Sequence, residues 1–218
     1  MLLFYCLPIT SSYWGINENK LLSFISYERK VKINSYYHVI DKKLSLYAEL
    51  LARVSLSKIS GLPVPAIQFT YSSNGKPLWK GFHYYFNLSH TKNFILCCIS
   101  TLGNIGADVE KIDNAPFEIM EIAFHPIEKN YIQNAPSSQK DYYFYKIWTQ
   151  KESYTKFTGT GIVDDLTKIN VLDSTYSPHF YTWLHGKYLC SAYVQYPEKP
   201  RLIHVSENHI IHYLNLVN

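Results

Sequence analysis

The chain has 218 residues, of which 47% are hydrophobic and 17% charged, enough for one large domain or two small ones. This composition excludes a disordered chain. The formal net charge of +4 permits an anionic ligand or an acidic partner protein, but the cations are scattered among acids and do not indicate nucleic-acid binding. No apolar stretch approaches the ~20 residues that a membrane helix requires, so we expect no membrane association.

The first half of the chain predicts a strand, two helices and a set of hairpin strands. Residues 1–9 are apolar without a basic leader or a cleavage site, which favours a first strand over a signal peptide. Helical spacing follows over 17–25 and over 41–57, with Asp41 as the expected N-cap. Further strands are predicted over 66–71, 82–88 and 94–100, separated by an Asn-Gly turn at 72–77 and a loop at 89–93.

The second half predicts a strand through Asp108 and Glu110, helices over 117–124, 126–132 and 141–158, and strands over 169–172, 180–184 and 188–196. Gly159-Thr160-Gly161 is expected to end the long helix.

A weak internal repeat relates residues 90–97 to 185–190, each a polar turn that leads into an apolar strand with a cysteine. Chance and duplication explain this repeat about equally well. If it is real, it predicts an α+β fold of two similar lobes, 1–104 and 105–218, with the functional site at the cleft between them.

The four cysteines are Cys6, Cys97, Cys98 and Cys190. None forms a C-x-x-C pair, and adjacent residues on a strand face opposite ways, so Cys97 and Cys98 are poorly placed to share one metal. We expect buried, reduced thiols in a cytoplasmic protein.

The groups with the clearest chemical potential are three carboxylates. Asp108 and Glu110 alternate on one strand and therefore point to the same face. Glu152 lies on one helical stripe with Trp148 and Lys156, at a spacing of four residues. A surface salt bridge would explain Glu152 and Lys156 alone, but Trp148 on the same stripe indicates a partly buried face. If helix and strand pack together, the cluster requires a cation, and an all-oxygen set suits magnesium, with manganese as an alternative.

Cationic and polar side chains accompany these carboxylates. Arg29 and Lys32 either solvate a helix face or bind an anion. Lys76 lies in a tight turn, where we expect it to be exposed and aimed at a ligand. Ser89 and His90 follow a strand, where backbone amides become free to meet a phosphate. A hydrolase nucleophile is disfavoured, because adjacent side chains point apart and the chain has no G-x-S-x-G elbow.

Four motifs in this order resemble those of the 4′-phosphopantetheinyl transferase superfamily, of the broad-specificity type that activates surfactin-like synthetases. They are Gly75-Lys76-Pro77, Phe86-Asn87-Leu88-Ser89-His90, Gly106-Ala107-Asp108-Val109-Glu110, and Trp148 through Lys156 with Gly159-Thr160-Gly161-Ile162. The resemblance covers about residues 21–191. It implies a pseudo-twofold α+β fold, and transfer of the 4′-phosphopantetheine arm of coenzyme A to a serine of an apo carrier protein with release of 3′,5′-ADP.

The resemblance also implies roles for individual residues. Magnesium would be held by Asp108, Glu110 and Glu152, with Glu152 also the base and Lys156 acting on the leaving side. Coenzyme A contacts are implied at Arg29, Lys32, Lys76, Pro77, Ser89 and His90.

The chain departs from the family pattern at two places. Leu44 stands where the family usually has an arginine, and the hypothesis is that neighbouring Lys43, or Lys42, replaces it. Thr91-Lys92 replaces smaller residues after the histidine.

Residues 115–124 match a region the family uses for carrier docking, but they also fit an ordinary amphipathic helix. We expect a monomer. The alternative function is a degenerate member that binds coenzyme A or a carrier without transfer.

Overall fold

The computed structural model describes residues 1–79, 83–159 and 165–216. The α-helices in this part are α1 (Ile16–Leu21), α2 (Tyr27–Ser35), α3 (Val39–Ser60), α4 (Met120–Ala123), α5 (Pro126–Gln133), α6 (Lys140–Thr158) and α7 (Glu207–Leu216). The strands are β1 (Leu2–Pro8), β2 (Phe69–Tyr71), β3 (Pro77–Trp79), β4 (Tyr85–Thr91), β5 (Phe94–Ser100), β6 (Ile105–Lys111), β7 (Phe180–His185), β8 (Tyr188–Val194) and β9 (Arg201–His204).

Two sheets and two long helices form four layers. The first sheet has the order β4-β5-β1-β9 and the second β6-β8-β7, while β2 and β3 form a separate hairpin. Alternation along β1 explains the layering, because Leu3, Tyr5 and Leu7 pack towards α3, while Phe4 and Cys6 pack in the core between the two sheets. Helix α6 covers the outer face of the second sheet.

The two halves repeat one topology, which confirms the predicted two-lobe α+β fold. In each half a strand, a long helix and a hairpin follow one another: β1, α3, β4–β5, and then β6, α6, β7–β8. The sheet orders β4-β5-β1 and β7-β8-β6 correspond, and the pairings within them are antiparallel. The boundary at residues 104/105 stays a prediction. Strand β9 and helix α7 cross it, because β9 pairs with β1 and α7 packs on α3.

All four cysteines are free and buried, as expected. Cys97 and Cys98 lie in different cores, on opposite faces of β5. No helix in the described part of the chain is long and apolar enough to cross a membrane.

Several element predictions need correction. Helix α3 begins after His38, so Asp41 lies in its first turn and is not the N-cap. Strand β4 continues through Ser89 and His90 to Thr91, where the sequence predicts a loop. Helix α2, helix α7 and strand β9 are not predicted. Residues Phe82, Thr160, Gly161 and Ile162, which belong to predicted elements or motifs, lie outside the described residues.

The predicted strand over 169–172 is absent, because buried side chains form hydrogen bonds with the backbone amide and carbonyl groups of this segment. The Val171 amide donates to the Glu128 carboxylate at 2.8 Å, and the Ile169 carbonyl accepts from the Lys151 ammonium at 2.5 Å. Lys151 and Glu128 form a fully buried ion pair, with 2.8 Å between Nζ and Oε2. A segment held in this way does not need a strand partner.

Candidate active site

Strand β4 lies beside β6, although they belong to different sheets, and side chains connect them. The Ser89 hydroxyl donates to Asp108 Oδ1 at 2.8 Å, and the Thr91 hydroxyl donates to Glu110 Oε2 at 2.9 Å. The Asn87 side-chain oxygen accepts from the backbone amide of Ala107 at 2.9 Å. Alternate residues of β4 therefore hold β6 and orient its two carboxylates.

Helix α6 brings the third carboxylate and an ammonium to this line. Lys156 Nζ lies 2.6 Å from Asp108 Oδ1 and donates to the Ser89 hydroxyl at 3.0 Å. Glu152, one turn earlier, shares a cavity of about 330 Å³ with Lys156. Trp148 is half-buried and stacks on Phe124 with ring centroids 6.3 Å apart, so this face of α6 is indeed partly buried.

Gly106 is what lets α6 approach β6 so closely. A Cβ at this position would lie 1.9 Å from the Ser153 carbonyl oxygen and 2.4 Å from the Phe157 amide nitrogen. Any side chain other than hydrogen would force the helix away from the strand that carries Asp108.

The pKa values of Glu110 and Glu152 are raised because these carboxylates are buried close to another negative charge. Burial, and then the charge of Asp108, raise the pKa of Glu110 to about 7, and the Thr91 hydrogen bond and Lys156 oppose this rise. The pKa of Glu152 is raised by the same two causes, and Lys156 opposes it.

Asp108 Oδ2 and Glu152 Oε1 are buried without a hydrogen-bond partner among the described residues. Buried carboxylate oxygens without partners are costly unless a cation binds them.

These carboxylates fit a hard divalent cation by their chemistry, since they offer oxygen donors only. The charge of Asp108 raises the pKa of both Glu110 and Glu152, and Asp108 Oδ2 and Glu152 Oε1 have no hydrogen-bond partner among the described residues. Over 1–79, 83–159 and 165–216, however, no three acidic, histidine or cysteine side chains are already grouped as a metal-binding set. The ammonium of Lys156 now lies against Asp108.

The other residues predicted to bind a ligand lie in different places in the structure. Lys76 and Pro77 line the cavity with Glu152 and Lys156. The His90 side chain reaches the surface from β4, but the surrounding protein still removes part of the water around its imidazole, and this desolvation is the main cause that lowers its pKa. The positive charges of Lys156, Lys32 and Arg29 lower it further, and Asp41 opposes them.

The expectation that the Lys76 side chain is exposed is wrong. Its side chain is half-buried, and its ammonium donates to Asn104 Oδ1 at 3.1 Å and to the backbone carbonyls of Ile105 and Lys156 at 3.2 and 2.7 Å. Ser89 and His90 also do not follow the end of a strand as expected, because both residues lie within β4 and are in register with Leu96 and Ile95 of β5.

Arg29 and Lys43 are engaged elsewhere. Arg29 Nε donates to Glu49 Oε2 at 2.8 Å, and that carboxylate also pairs with Arg53. Lys43 is buried between two carboxylates, 2.6 Å from Glu207 and 3.4 Å from Glu18. The structure therefore does not bring Lys43 to the carboxylate cluster, and Leu44 is a core residue.

Sequence reasoning missed the roles of Asn87, Thr91 and Asn104. The polar residues at 87, 89 and 91 alternate along β4, and this period of two was the available signal. A larger cavity of about 590 Å³ lies in the N-terminal half, and one of about 680 Å³ lies between that half and helix α7. Neither is lined by a residue of the carboxylate cluster.

Comparison with known proteins agrees with this geometry. A profile of the 4′-phosphopantetheinyl transferase superfamily matches residues 104–212, and one described as 4′-phosphopantetheinyl transferase, N-terminal, matches 15–101. A 4′-phosphopantetheinyl transferase of Bacillus subtilis is 30% identical over 155 residues, 71% of this chain and 69% of that protein. The transferase gsp of Aneurinibacillus migulanus is 34% identical over 66% of this chain and 60% of its own length. The 4′-phosphopantetheinyl transferase Sfp of Bacillus subtilis strain 168 is 29% identical over 71% of this chain and 69% of its own length.

The chain belongs to the 4′-phosphopantetheinyl transferase superfamily, a family of enzymes. This confirms the resemblance drawn from the motifs, including its broad-specificity type.

Proposed function

We propose that the protein transfers the 4′-phosphopantetheine arm of coenzyme A to a serine of an apo carrier protein and releases 3′,5′-ADP. The observation that carries this proposal is that Lys156, which lines one cavity with Glu152, pairs with Asp108 on the strand that also bears Glu110. One buried oxygen of Asp108 and one of Glu152 have no hydrogen-bond partner among the described residues. A purely structural ion pair would leave no such unpaired oxygens.

In the proposed reaction the serine oxygen bonds to the β-phosphorus of coenzyme A, and the bond from that phosphorus to the oxygen of the leaving 3′,5′-ADP breaks. Glu152 accepts the serine proton, directly or through water, and burial and the charge of Asp108 raise its pKa, which makes it a stronger base. The ammonium of Lys156 neutralises charge on the leaving oxygen.

Asp108, Glu110 and Glu152 would hold the divalent cation, which we propose to be magnesium. When bound, magnesium stabilises negative charge on the pyrophosphate. Ser89 and Thr91 keep two of these carboxylates oriented through their hydroxyl hydrogen bonds. The negative charge of Asp108 raises the pKa of Glu110, and a bound cation would offset this repulsion. This supports a metal-binding role for the two carboxylates.

Coenzyme A is proposed to lie along the cavity edge, with Lys76 and Pro77 beside the nucleotide and His90 and Lys32 at its 3′-phosphate. After burial, the positive charges of Lys156, Lys32 and Arg29 contribute to the lowered pKa of His90, against Asp41, and cations so close together favour an anion there. Arg29 contributes through charge, since its guanidinium is held by Glu49.

The carrier protein is proposed to dock on the segment before α5. Phe117 and Ile122 are exposed, at 40% and 78% of their surface, while Met120 and Phe124 on the same segment are buried. An amphipathic element with large apolar side chains on its outer face is suited to protein contact. The protein is proposed to act as a cytoplasmic monomer.

The test is intact mass spectrometry of an apo peptidyl carrier protein incubated with this protein and coenzyme A, with magnesium or with EDTA. We expect a magnesium-dependent gain of one phosphopantetheine on the carrier. Absence of the gain on peptidyl, polyketide and fatty-acid carriers, with coenzyme A still bound, would favour a binding module without transfer.

A further inference from the structure

The C-terminal end of α6 is closed by side chains that come from outside the helix. The last four carbonyls of a helix have no partner within it and need donors from elsewhere. The Thr155 carbonyl accepts from the amide of Gly159, whose φ of 75° ends the helix. The carbonyls of Lys156, Phe157 and Gly159 find their donors in two other segments.

Those donors are Lys76, Asn104 and Asn74. The Lys76 ammonium donates to the Lys156 carbonyl at 2.7 Å, and the Asn104 side-chain amide donates to the Phe157 carbonyl. Asn74 Nδ2 donates to the Gly159 carbonyl at 2.6 Å. Lys76 also binds Asn104 Oδ1, so its ammonium is at the centre of the arrangement.

Donors and acceptors belong to different halves of the molecule. Asn74 and Lys76 lie on the β2–β3 hairpin, and Asn104 precedes β6 at the junction of the halves. Helix α6 bears Glu152 and Lys156. The side chains of Asn74, Lys76 and Asn104 therefore fix the final turn of α6 against the N-terminal half. Ser89 reaches the site from that same half.

We propose that Lys76 is a positioning residue, whose ammonium, together with Asn104, caps α6 and so holds Lys156 against Asp108 and Ser89. This inference rests on the proposed transfer function. It assigns the Lys76 side chain to the helix end, and leaves nucleotide contact to the backbone of the turn.

The physical chemistry of the position agrees with this role. A cation at a helix C-terminus interacts favourably with the helix dipole and with the unpaired carbonyls. Burial lowers the pKa of Lys76 to about 8, while three oxygen acceptors favour its charged form, so the ammonium is charged at neutral pH. A direct phosphate contact would require Lys76 to give up these acceptors.

Substitution of Asn104 distinguishes experimentally between a role of Lys76 in capping α6 and a direct contact of Lys76 with a phosphate. The described residues that line the cavity beside Glu152 and Lys156 include Lys76 but not Asn104. Asn104→Ala removes a cap donor without removing a side chain from the ligand cavity. If Lys76 acts through the cap, Lys76→Met and Asn104→Ala have the same kinetic effect.

The experiment compares Lys76→Met, Lys76→Arg and Asn104→Ala, with Ser73→Ala in the same exposed turn as the matched control. Coenzyme A affinity is measured by titration calorimetry and kcat by transfer to a carrier protein. We expect kcat to fall roughly tenfold to a hundredfold in Lys76→Met and Asn104→Ala, because about 1 Å of misplacement has this effect, with Kd within about threefold. Lys76→Arg should recover part of kcat, and Ser73→Ala should match the wild type.

Hydrogen exchange gives a second readout that does not depend on activity. Amides in the last turn of α6 should exchange faster in Lys76→Met, while those of α3 remain unchanged. The proposal is overturned by unchanged exchange, by wild-type kcat in Asn104→Ala, or by a large rise in Kd with unchanged kcat in Lys76→Met. A wild-type protein that transfers nothing refutes the proposed function, and the exchange result then decides by itself whether the cap exists.

Discussion

The close contact of α6 with β6 at Gly106 makes Gly106→Ala the most informative single substitution. The added Cβ would lie 1.9 Å from the Ser153 carbonyl oxygen, whereas real Cβ contacts are essentially never below 3.0 Å. Both neighbours, Ser153 and Phe157, contribute backbone atoms, which cannot rotate away as a side chain does. Helix and strand must therefore separate by about 1 Å.

That displacement has two measurable consequences. Overpacking at a tight contact lowers the free energy of unfolding by about 1–3 kcal/mol. It also pulls Lys156 Nζ, now 2.6 Å from Asp108 Oδ1, beyond hydrogen-bond distance. A misplacement of about 1 Å in a reacting group lowers the rate roughly a hundredfold. We therefore expect Gly106→Ala to lose most of its transfer activity while it remains folded.

The assay pairs urea unfolding with transfer kinetics, and Gly103→Ala is the matched control. The three atoms nearest to a Cβ at Gly103 belong to the side chains of Gln195 and Tyr196, with Gln195 Oε1 at 2.5 Å. Side-chain ends can move aside, so Gly103→Ala should cost less stability and keep its rate. If Gly106→Ala equals Gly103→Ala in both stability and rate, the close-packing argument is refuted.

The remaining predictions concern the charged groups. Glu152→Gln should nearly abolish transfer while coenzyme A still binds in calorimetry, and normal turnover would remove Glu152 from the mechanism. Lys43→Met should lower the free energy of unfolding by about 3–5 kcal/mol, because it leaves Glu18 and Glu207 buried without their cation. Its Kd for coenzyme A should stay within about threefold, and a larger loss would instead support the role that the sequence suggested. The pKa of His90 lies below its usual 6.5 in the free protein, and a bound phosphate should raise it. Binding then takes up a proton, so affinity should increase as pH falls through this range. Histidine NMR titration with and without coenzyme A measures both pKa values, and equal values would place His90 away from the phosphate.

Local patterns in the sequence determined the elements that carry the carboxylates. The alternation around Val109 predicts strand β6, and the spacing of Trp148, Glu152 and Lys156 predicts a partly buried stripe on helix α6. Glycines mark the ends of both long helices, where φ values of 75° at Gly61 and Gly159 confirm the stops. These features depend on neighbours within a few residues, which the sequence displays directly.

Contacts between distant segments decided where the charged side chains went. Lys76 and Lys43 both look like free cations in the sequence, but Lys76 caps α6 and Lys43 lies between Glu18 and Glu207. Glu207 belongs to α7 and lies 164 residues after Lys43 in the chain.

Sequence alone therefore determined the family and the two-lobe α+β class, and it predicted which carboxylates form the site. Tertiary structure alone decided which cations face them, because a buried ammonium binds whichever oxygens the packing of the halves places beside it, and no local pattern encodes that choice.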